Sequence, residues 1–320
     1  MAVYTEVSDD ELRDFVAGYD IGAVISFKGI AEGVENTNYL LQTDRGAYIL
    51  TLYEKRVADK DLPFFLGLMD HLAGKGFPGP EPVHASDGVA LRTLCGRPAA
   101  IVSFLDGLWP RRVRPEHCRL LGEAMAHMHI AGNSFEMRRG NALSMPGWRP
   151  LFESCAARAQ EVRVGLAEAL ERELGVLEGE WPEDLPSGVI HADLFPDNVF
   201  FLGGRLSGII DFYFACNDFF AYDLATCLNA WCFEPDDSFN VTKARLLLQS
   251  YRQVRPFSQA ELEALPLLAR GSALRFLLTR LYDWLHHPDG ALVDPKDPLE
   301  YWKKLCFHQQ VRGPGDYGLD

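Results

Sequence analysis

The sequence predicts an α+β fold of two lobes: a small antiparallel sheet with one packed helix, then a larger, mainly helical lobe. Three observations lead there. Segments rich in β-branched and aromatic residues, separated by turn signals, crowd residues 21–103. Helical periodicity takes over after Asp106-Gly107. A chain of 320 residues also favours two lobes over one core. The lobes are expected over 1–103 and 104–320, joined by a short connector near 103–107.

Ser8 with Glu11 three residues later is a capping-box signature, which opens a first helix over about 8–18. AVISFKGI, NTNYLLQT and AYILTLYE then read as strands, with the turn TDRG at 43–46 before the third. DLPFFLGLMDHLAGKG reads as an amphipathic helix closing at Gly74 or Gly76. VHASDGVALRTLCGRPAAIVSFLDG carries two more strands around a short turn. PEHCRLLGEAMAHMHIAG sets Leu120, Leu121, Ala124, Met125 and Met128 at helical spacing and stops at Gly132. Residues 150–180 read as one long charged helical stretch ending in WPEDLP. Extended segments GVIHADLF and NVFFLGGRLSGIIDF follow, the second folding back at Gly203-Gly204, and helices run on to about residue 308. There is no internal repeat.

Composition narrows the class. Hydrophobic content of 48% and charged content of 24% are those of an ordinary globular protein. A formal charge of −14, with only short basic clusters, argues against a nucleic-acid partner, because phosphate contacts need gathered Lys and Arg. Seven scattered Cys without C-x-x-C suggest reduced thiols rather than disulfides or zinc. No run approaches the roughly 18 apolar residues of a membrane span, and MAVYTEVSDDELRDF lacks the apolar core of a signal peptide. A cytoplasmic location with no membrane partner is expected. The oligomeric state is left open.

Chemistry concentrates in HADLFPDNVF, residues 191–200. Asp193 and Asn198 stand five apart, and Asp211 follows thirteen residues after Asn198 across the fold-back. That ribbon is expected to return Asp211 close to Asn198, so that three oxygen-bearing side chains share one end. One such residue alone would be an ordinary Asx turn. The whole set points to phosphoryl transfer, in which a carboxylate orients the attacking hydroxyl while an amide and a second carboxylate hold Mg2+ on a triphosphate.

The pattern His191-x-Asp193-x-x-x-x-Asn198, followed by Asp211-Phe212, resembles the catalytic loop and metal-binding Asp of the protein-kinase-like fold, in its aminoglycoside phosphotransferase and choline kinase branch. GVENTNYLLQTDRGAYILTLYEKR (33–56), LPFFLGLMDHLA (62–73), HADLFPDNVFF and IIDFYFACNDFFAYDLATCLNAWCF (209–233) resemble the kinase-like homoserine kinases of threonine biosynthesis. The resemblance implies ATP-dependent phosphorylation of the side-chain hydroxyl of L-homoserine, with ATP and Mg2+ as cofactors. It also implies Asp193 as catalytic base, Asn198 and Asp211 as metal ligands, His191 as support beneath the loop, and Asp223 in YDLA as the anchor of the loop backbone. IVSFLDG matches the hinge whose backbone pairs with adenine, around Ser103, Phe104 and Leu105.

Two departures stand out. Where a protein kinase carries its third-strand Lys, this chain has Thr51. Lys55 falls on the same strand face by alternation, and either reaches the phosphates or stays solvated. KGIAEGVENTN supplies Gly29 and Gly33 without G-x-G-x-x-G, leaving Asn36, Thr37 and Asn38 as donors to phosphate. A zwitterionic acceptor needs partners for its ammonium and its carboxylate. Asp218, Asn229 and Trp231 follow the metal Asp in the segment that borders the acceptor, and Arg139 and Arg275 are candidate carboxylate partners; packing or surface roles are the alternative for each. Arg245, Arg252, Arg270, Arg275 and Arg280 weigh against a polycationic aminoglycoside. Choline, ethanolamine and a non-catalytic nucleotide-binding scaffold remain alternatives. His127 and His129 face apart on a helix and read as solvent or core residues, not as a metal pair.

Overall fold

In the computed structural model, which describes residues 5–30, 36–54, 58–287 and 295–319, the first helix begins where the capping signature sets it. For α1 (Asp9–Val16), Ser8 Oγ accepts the Glu11 N–H at 3.3 Å and Glu11 Oε2 accepts the Ser8 N–H at 3.0 Å. Such a cap contributes about 1 kcal/mol. Strands β1 (Val24–Gly29), β2 (Thr37–Thr43) and β3 (Ala47–Leu52) follow, then α2 (Leu62–Gly74), β4 (Arg92–Leu94) and β5 (Arg97–Ser103). The five strands form one antiparallel sheet in the order β1-β2-β3-β5-β4. Along β2, Thr37, Tyr39, Leu41 and Thr43 are buried and alternate with more open positions, the period of two that a pleated strand imposes. Leu41, Leu50, Leu52 and Ile101 share a core with Leu12 and Val16 of α1. The β4–β5 turn is Cys95-Gly96, both at positive φ (50° and 72°), whose twist suits a tight hairpin.

Helix α3 (Pro115–Gly132) spans the residues its apolar spacing predicts. A Cβ at Gly122 would lie 2.1 Å from Leu247 O, so only glycine permits the close approach of that neighbouring backbone. The single helix expected over 150–180 is instead two, α4 (Met145–Cys155) and α5 (Leu166–Glu180), separated by a 3-10 turn, Ala156–Glu161, and by Gly165 at φ +77°. The chain tightens into the 3-10 turn after Cys155, and left-handed Gly165 then starts α5, a backbone break that charge periodicity cannot show.

The strand β6 (Ser187–Ile190) is shorter than GVIHADLF suggests, because Ala192 at φ +63° takes the chain out of the extended region. Next come the ribbon β7 (Val199–Leu202) and β8 (Arg205–Ile209), turning at Gly203-Gly204 with φ of 57° and 78°. Strand β9 (Cys216–Phe219), with its polar Asn217 and Asp218, escapes sequence reading and pairs antiparallel with β6. Helices α6 (Phe220–Trp231), α7 (Val241–Val254), α8 (Gln259–Leu285) and α9 (Pro298–His308) complete the chain.

Two compact units result. One holds Met1–Leu108, Phe135–Arg139 and Phe200–Tyr213; the other holds Trp109–Ser134, Gly140–Val199 and Phe214–Asp320. The first includes most of the ribbon because Leu108 and Phe201 exchange both backbone hydrogen bonds at 3.0 Å and the Ile209 N–H donates to Pro78 O at 3.1 Å. Among the described residues no helix is long and apolar enough to cross a membrane.

One chain of polar groups inside the helical unit is satisfied from within it. Asn229 donates to Ala225 O (3.1 Å) and Ala269 O (3.0 Å), which turns its Oδ1 toward His308 Nε2 at 3.2 Å. His308 Nδ1 lies 2.8 Å from the Tyr317 hydroxyl. A neutral imidazole fits this chain, and burial pushes its pKa down to about 3. An unfolded histidine takes up its proton near pH ~6.5. Acid therefore favours the unfolded chain as pH falls below that value, and the loss continues until the folded pKa is reached. From His308 alone it comes to about 3 kcal/mol at pH ~4.5. Urea midpoints measured across this window should fall with acid, and less steeply in His308→Gln; an identical slope in the variant contradicts the assignment.

Candidate active site

The loop after β6 is built around one carboxylate. With Ala192 in the left-handed region, the consecutive N–H groups of His191 and Ala192 both donate to Asp223 on α6, at 3.0 Å to Oδ2 and 2.8 Å to Oδ1. A non-glycine residue at positive φ costs about 1–2 kcal/mol, and charge-assisted hydrogen bonds offset it. Asp223 is fully buried. Burial alone would push its pKa up, yet the hydrogen bond from His129 and the backbone donor at His191 hold it below the usual carboxylate value. His129 Nε2 lies 3.1 Å from Asp223 Oδ2, and His129 Nδ1 lies 2.7 Å from the Tyr251 hydroxyl. Burial depresses the His129 pKa. The pair is thus an ionised carboxylate receiving a neutral imidazole, with Tyr251 donating to the far nitrogen.

Further bonds lace the loop. Trp231, near the other end of α6, donates from Nε1 to Leu194 O at 2.7 Å. The Asp193 carbonyl accepts the Phe195 N–H and Asn198 Nδ2, both at 2.8 Å, while the Asp193 N–H donates to His191 Nδ1 at 3.3 Å. Once Nδ2 is spent, Asn198 presents Oδ1 as a hard neutral oxygen of the kind that magnesium accepts. The Asp193 carboxylate is 19% exposed and its Oδ1 lies 3.5 Å from Arg275 Nη1. Burial pushes its pKa up, opposed by Arg275 and His191.

The sheet unit places the other predicted residues. Thr51, at the position of the protein-kinase Lys, is buried and donates to Asn38 Oδ1 at 2.7 Å across the β2–β3 pair. Asn36 Oδ1 accepts the Glu54 N–H at 3.3 Å, and Thr37 Oγ1 donates to Glu54 Oε1 at 2.8 Å. All three polar residues are therefore tied within their own sheet. Lys55 lies outside the described residues. Asp211 sits at φ +65° beyond β8, where its charge raises the pKa of both Tyr53 and Tyr213, already pushed up by burial. The hydroxyls of these two tyrosines are 3.2 Å apart. At the hinge, Ser103 is bonded to Glu81 by its N–H (2.8 Å) and its Oγ (2.9 Å), and the Phe104 N–H reaches Ala47 O at 3.3 Å. Among the described residues the Leu105 backbone has no backbone partner.

The candidates for the acceptor separate clearly. Asn229 and Trp231 are fully buried and their polar groups bond to protein. Asp218 accepts from Asn141 at 2.7 Å and from the Phe219 N–H at 2.8 Å, and burial pushes its pKa up. Arg139 pairs with Asp61 at 2.9 Å over the Phe65 ring. Arg275 alone of this set is beside Asp193. Sequence reasoning missed His129 as part of the site. It shares a helical face with Leu121 and Met125, whereas His127 is exposed, so the spacing carried the signal for its burial though not for its partners. Among the described residues no group of three or more His, Cys, Asp and Glu is gathered for a metal.

Residues 26–257 match the phosphotransferase enzyme family. The chain belongs to that family. This phosphotransferase is 67% identical to the homoserine kinase of Paramagnetospirillum magneticum over all of both chains, and 65% identical to that of Rhodospirillum rubrum over all of this chain and 99% of the relative. In fold it is similar to an amicoumacin kinase solved with AMP-PNP and Ca2+, at a TM-score of 0.69 and 15% identity over 95% of this chain and 92% of the other. It is also similar to choline kinase from Cryptosporidium parvum, at a TM-score of 0.65 and 16% identity over 89% and 88%. The protein-kinase-like fold expected from the sequence is thus found.

Asp223→Ala strips a charge-assisted partner from two backbone N–H groups and from His129. Loss of about 3 kcal/mol of stability is expected, with kcat falling more than KM as the loop loses its register. Chemical denaturation and steady-state kinetics measure the two effects.

Proposed function

We propose that this chain is a homoserine kinase, transferring the γ-phosphoryl group of ATP to the side-chain hydroxyl of L-homoserine to give O-phospho-L-homoserine and ADP. The observation that carries the reading is identity of 64–67% to homoserine kinases along the whole chain. The site chemistry supports it. Asp193 orients the acceptor hydroxyl and takes its proton, a role that suits a carboxylate whose loop is fixed at His191, Ala192, Leu194 and Asn198. Asn198 and Asp211 would hold Mg2+, the amide through the oxygen that its bonded nitrogen leaves turned away. That ion, when bound, neutralises charge on the phosphates. Every other contribution is positioning and electrostatics from the protein. The hinge at Ser103, Phe104 and Leu105 would take adenine through backbone groups, Leu105 being the one without a backbone partner. A place in threonine biosynthesis and in the cytoplasm goes with this reading.

An ADP-release assay across homoserine, serine, threonine, choline, ethanolamine and kanamycin tests the acceptor. Homoserine should give the highest kcat/KM by a wide margin, and a preference for choline or kanamycin overturns the assignment. Asp193→Ala should abolish turnover while ATP affinity stays within a few fold, because the residue addresses the acceptor; loss of ATP binding contradicts that role. Asp211→Ala should weaken nucleotide binding only when magnesium is present. Equal affinity with and without the ion would remove Asp211 from the metal site.

A further inference from the structure

Arg275 lies on α8 and is only 5% exposed. Its guanidinium is held flat by aromatic rings, with Cζ 3.8 Å from the Phe276 centroid and 5.5 Å from that of Phe214. Five N–H donors in this setting require acceptors. Asp193 is its ion-pair partner, and the 3.5 Å separation is well beyond the roughly 2.7–2.9 Å of a charge-assisted hydrogen bond. The pair is a loose contact, not a bidentate clamp. Among the described residues most of its donors are unspent, which leaves them for an anion from outside the protein.

Two neighbours point the same way. The hydroxyls of Tyr222 and Tyr301 are buried and have no hydrogen-bond partner among the described residues. Burial pushes both hydroxyl pKa values up, and the charge of Arg275 pulls on both; Tyr301 also feels Asp193. Orphaned buried hydroxyls cost free energy unless a ligand completes them. The helical unit thus holds a cation against Asp193 and two hydroxyls, unspent among the described residues, that feel its charge.

We propose that Arg275 binds the α-carboxylate of the amino-acid acceptor, with the Tyr301 hydroxyl supporting it, and sets the selectivity for amino acids over amino alcohols. This rests on the homoserine kinase reading and deepens it. An acceptor whose hydroxyl bonds to Asp193 carries its carboxylate three carbons away, and a cation in contact with Asp193 is within reach of that group. Choline and ethanolamine lack the carboxylate and would leave Arg275 uncompensated, which costs more than the lost contact alone. A terminal phosphate of the nucleotide is the other anion that Arg275 could meet, and the experiment separates the two.

The test compares kcat/KM for L-homoserine and for 3-aminopropan-1-ol, the same chain without its carboxylate, in the wild type, Arg275→Met, Arg275→Lys and Tyr301→Phe. Competitive inhibition constants stand in where the amino alcohol turns over too slowly. The wild type should prefer homoserine, and Arg275→Met should shrink that preference roughly 100-fold. Arg275→Lys keeps the charge without the fork and should fall between. Tyr301→Phe should lower the preference several-fold and leave the amino alcohol unaffected. Equal losses for both acceptors in the Arg275 variants would assign Arg275 to the phosphate or to Asp193 and overturn the proposal. If Arg275→Met fails to fold, as thermal unfolding will reveal, the Lys and Phe variants decide alone. A wild type that ignores homoserine yet phosphorylates another α-amino acid refutes the homoserine reading and leaves the carboxylate role standing; one that acts only on amino alcohols refutes both.

Discussion

A single buried carboxylate holds the loop after β6 in shape. Asp223 collects two consecutive backbone N–H groups, which can point at one acceptor only because Ala192 accepts a left-handed conformation. The strain and the bonds explain each other: neither would persist without the other. Behind Asp223, His129 and Tyr251 continue the chain of donors into α3 and α7, so the charge never faces apolar surroundings alone. Ahead of it, Asp193 and Asn198 inherit their positions from a backbone already fixed. Trp231 repeats the device at Leu194, from the same helix.

This arrangement lets α6 act as a rigid ruler for the chemistry. Nearly all of its residues are buried, from Phe220 to Trp231, and its polar members bond to the elements packed around it. Asp223 and Trp231 reach the loop, Thr226 pairs with Ser272 on α8, and Asn229 ties α8 to His308 of α9. Displacing any of these layers would move the loop with it. Arg275, one helical turn or so from Ser272, extends the same logic to Asp193, since α8 is positioned by those bonds.

The sheet unit solves a different problem around Thr51, which the sequence pattern sets where a protein kinase carries its Lys. Thr51 is short, buried and bonded to Asn38, and Asn36 and Thr37 are gathered around Glu54. These polar side chains therefore tie β2 to β3 and to the segment that follows β3. Tyr53 and Tyr213 crowd the same interior and meet edge-on at 5.4 Å.

What sequence alone determined was whatever depends on local periodicity and short-range chemistry. The Ser8–Glu11 cap, the alternation of β2, the α3 span and the His191-to-Asn198 pattern are all decided within a few residues of one another. Tertiary structure decided the rest, because backbone handedness and burial are set by what packs from elsewhere. Gly165 breaks a helix that its charges suggest is continuous, Ala192 ends a strand early, and polar Cys216–Phe219 becomes a strand only because β6 offers it a ladder. The same holds for side chains: Asn229, Trp231 and Arg275 look alike as polar or amphipathic candidates in a list of letters. Only the packing of α6, α8 and α9 spends the first two on the protein and, among the described residues, leaves the third a buried charge with donors to spare.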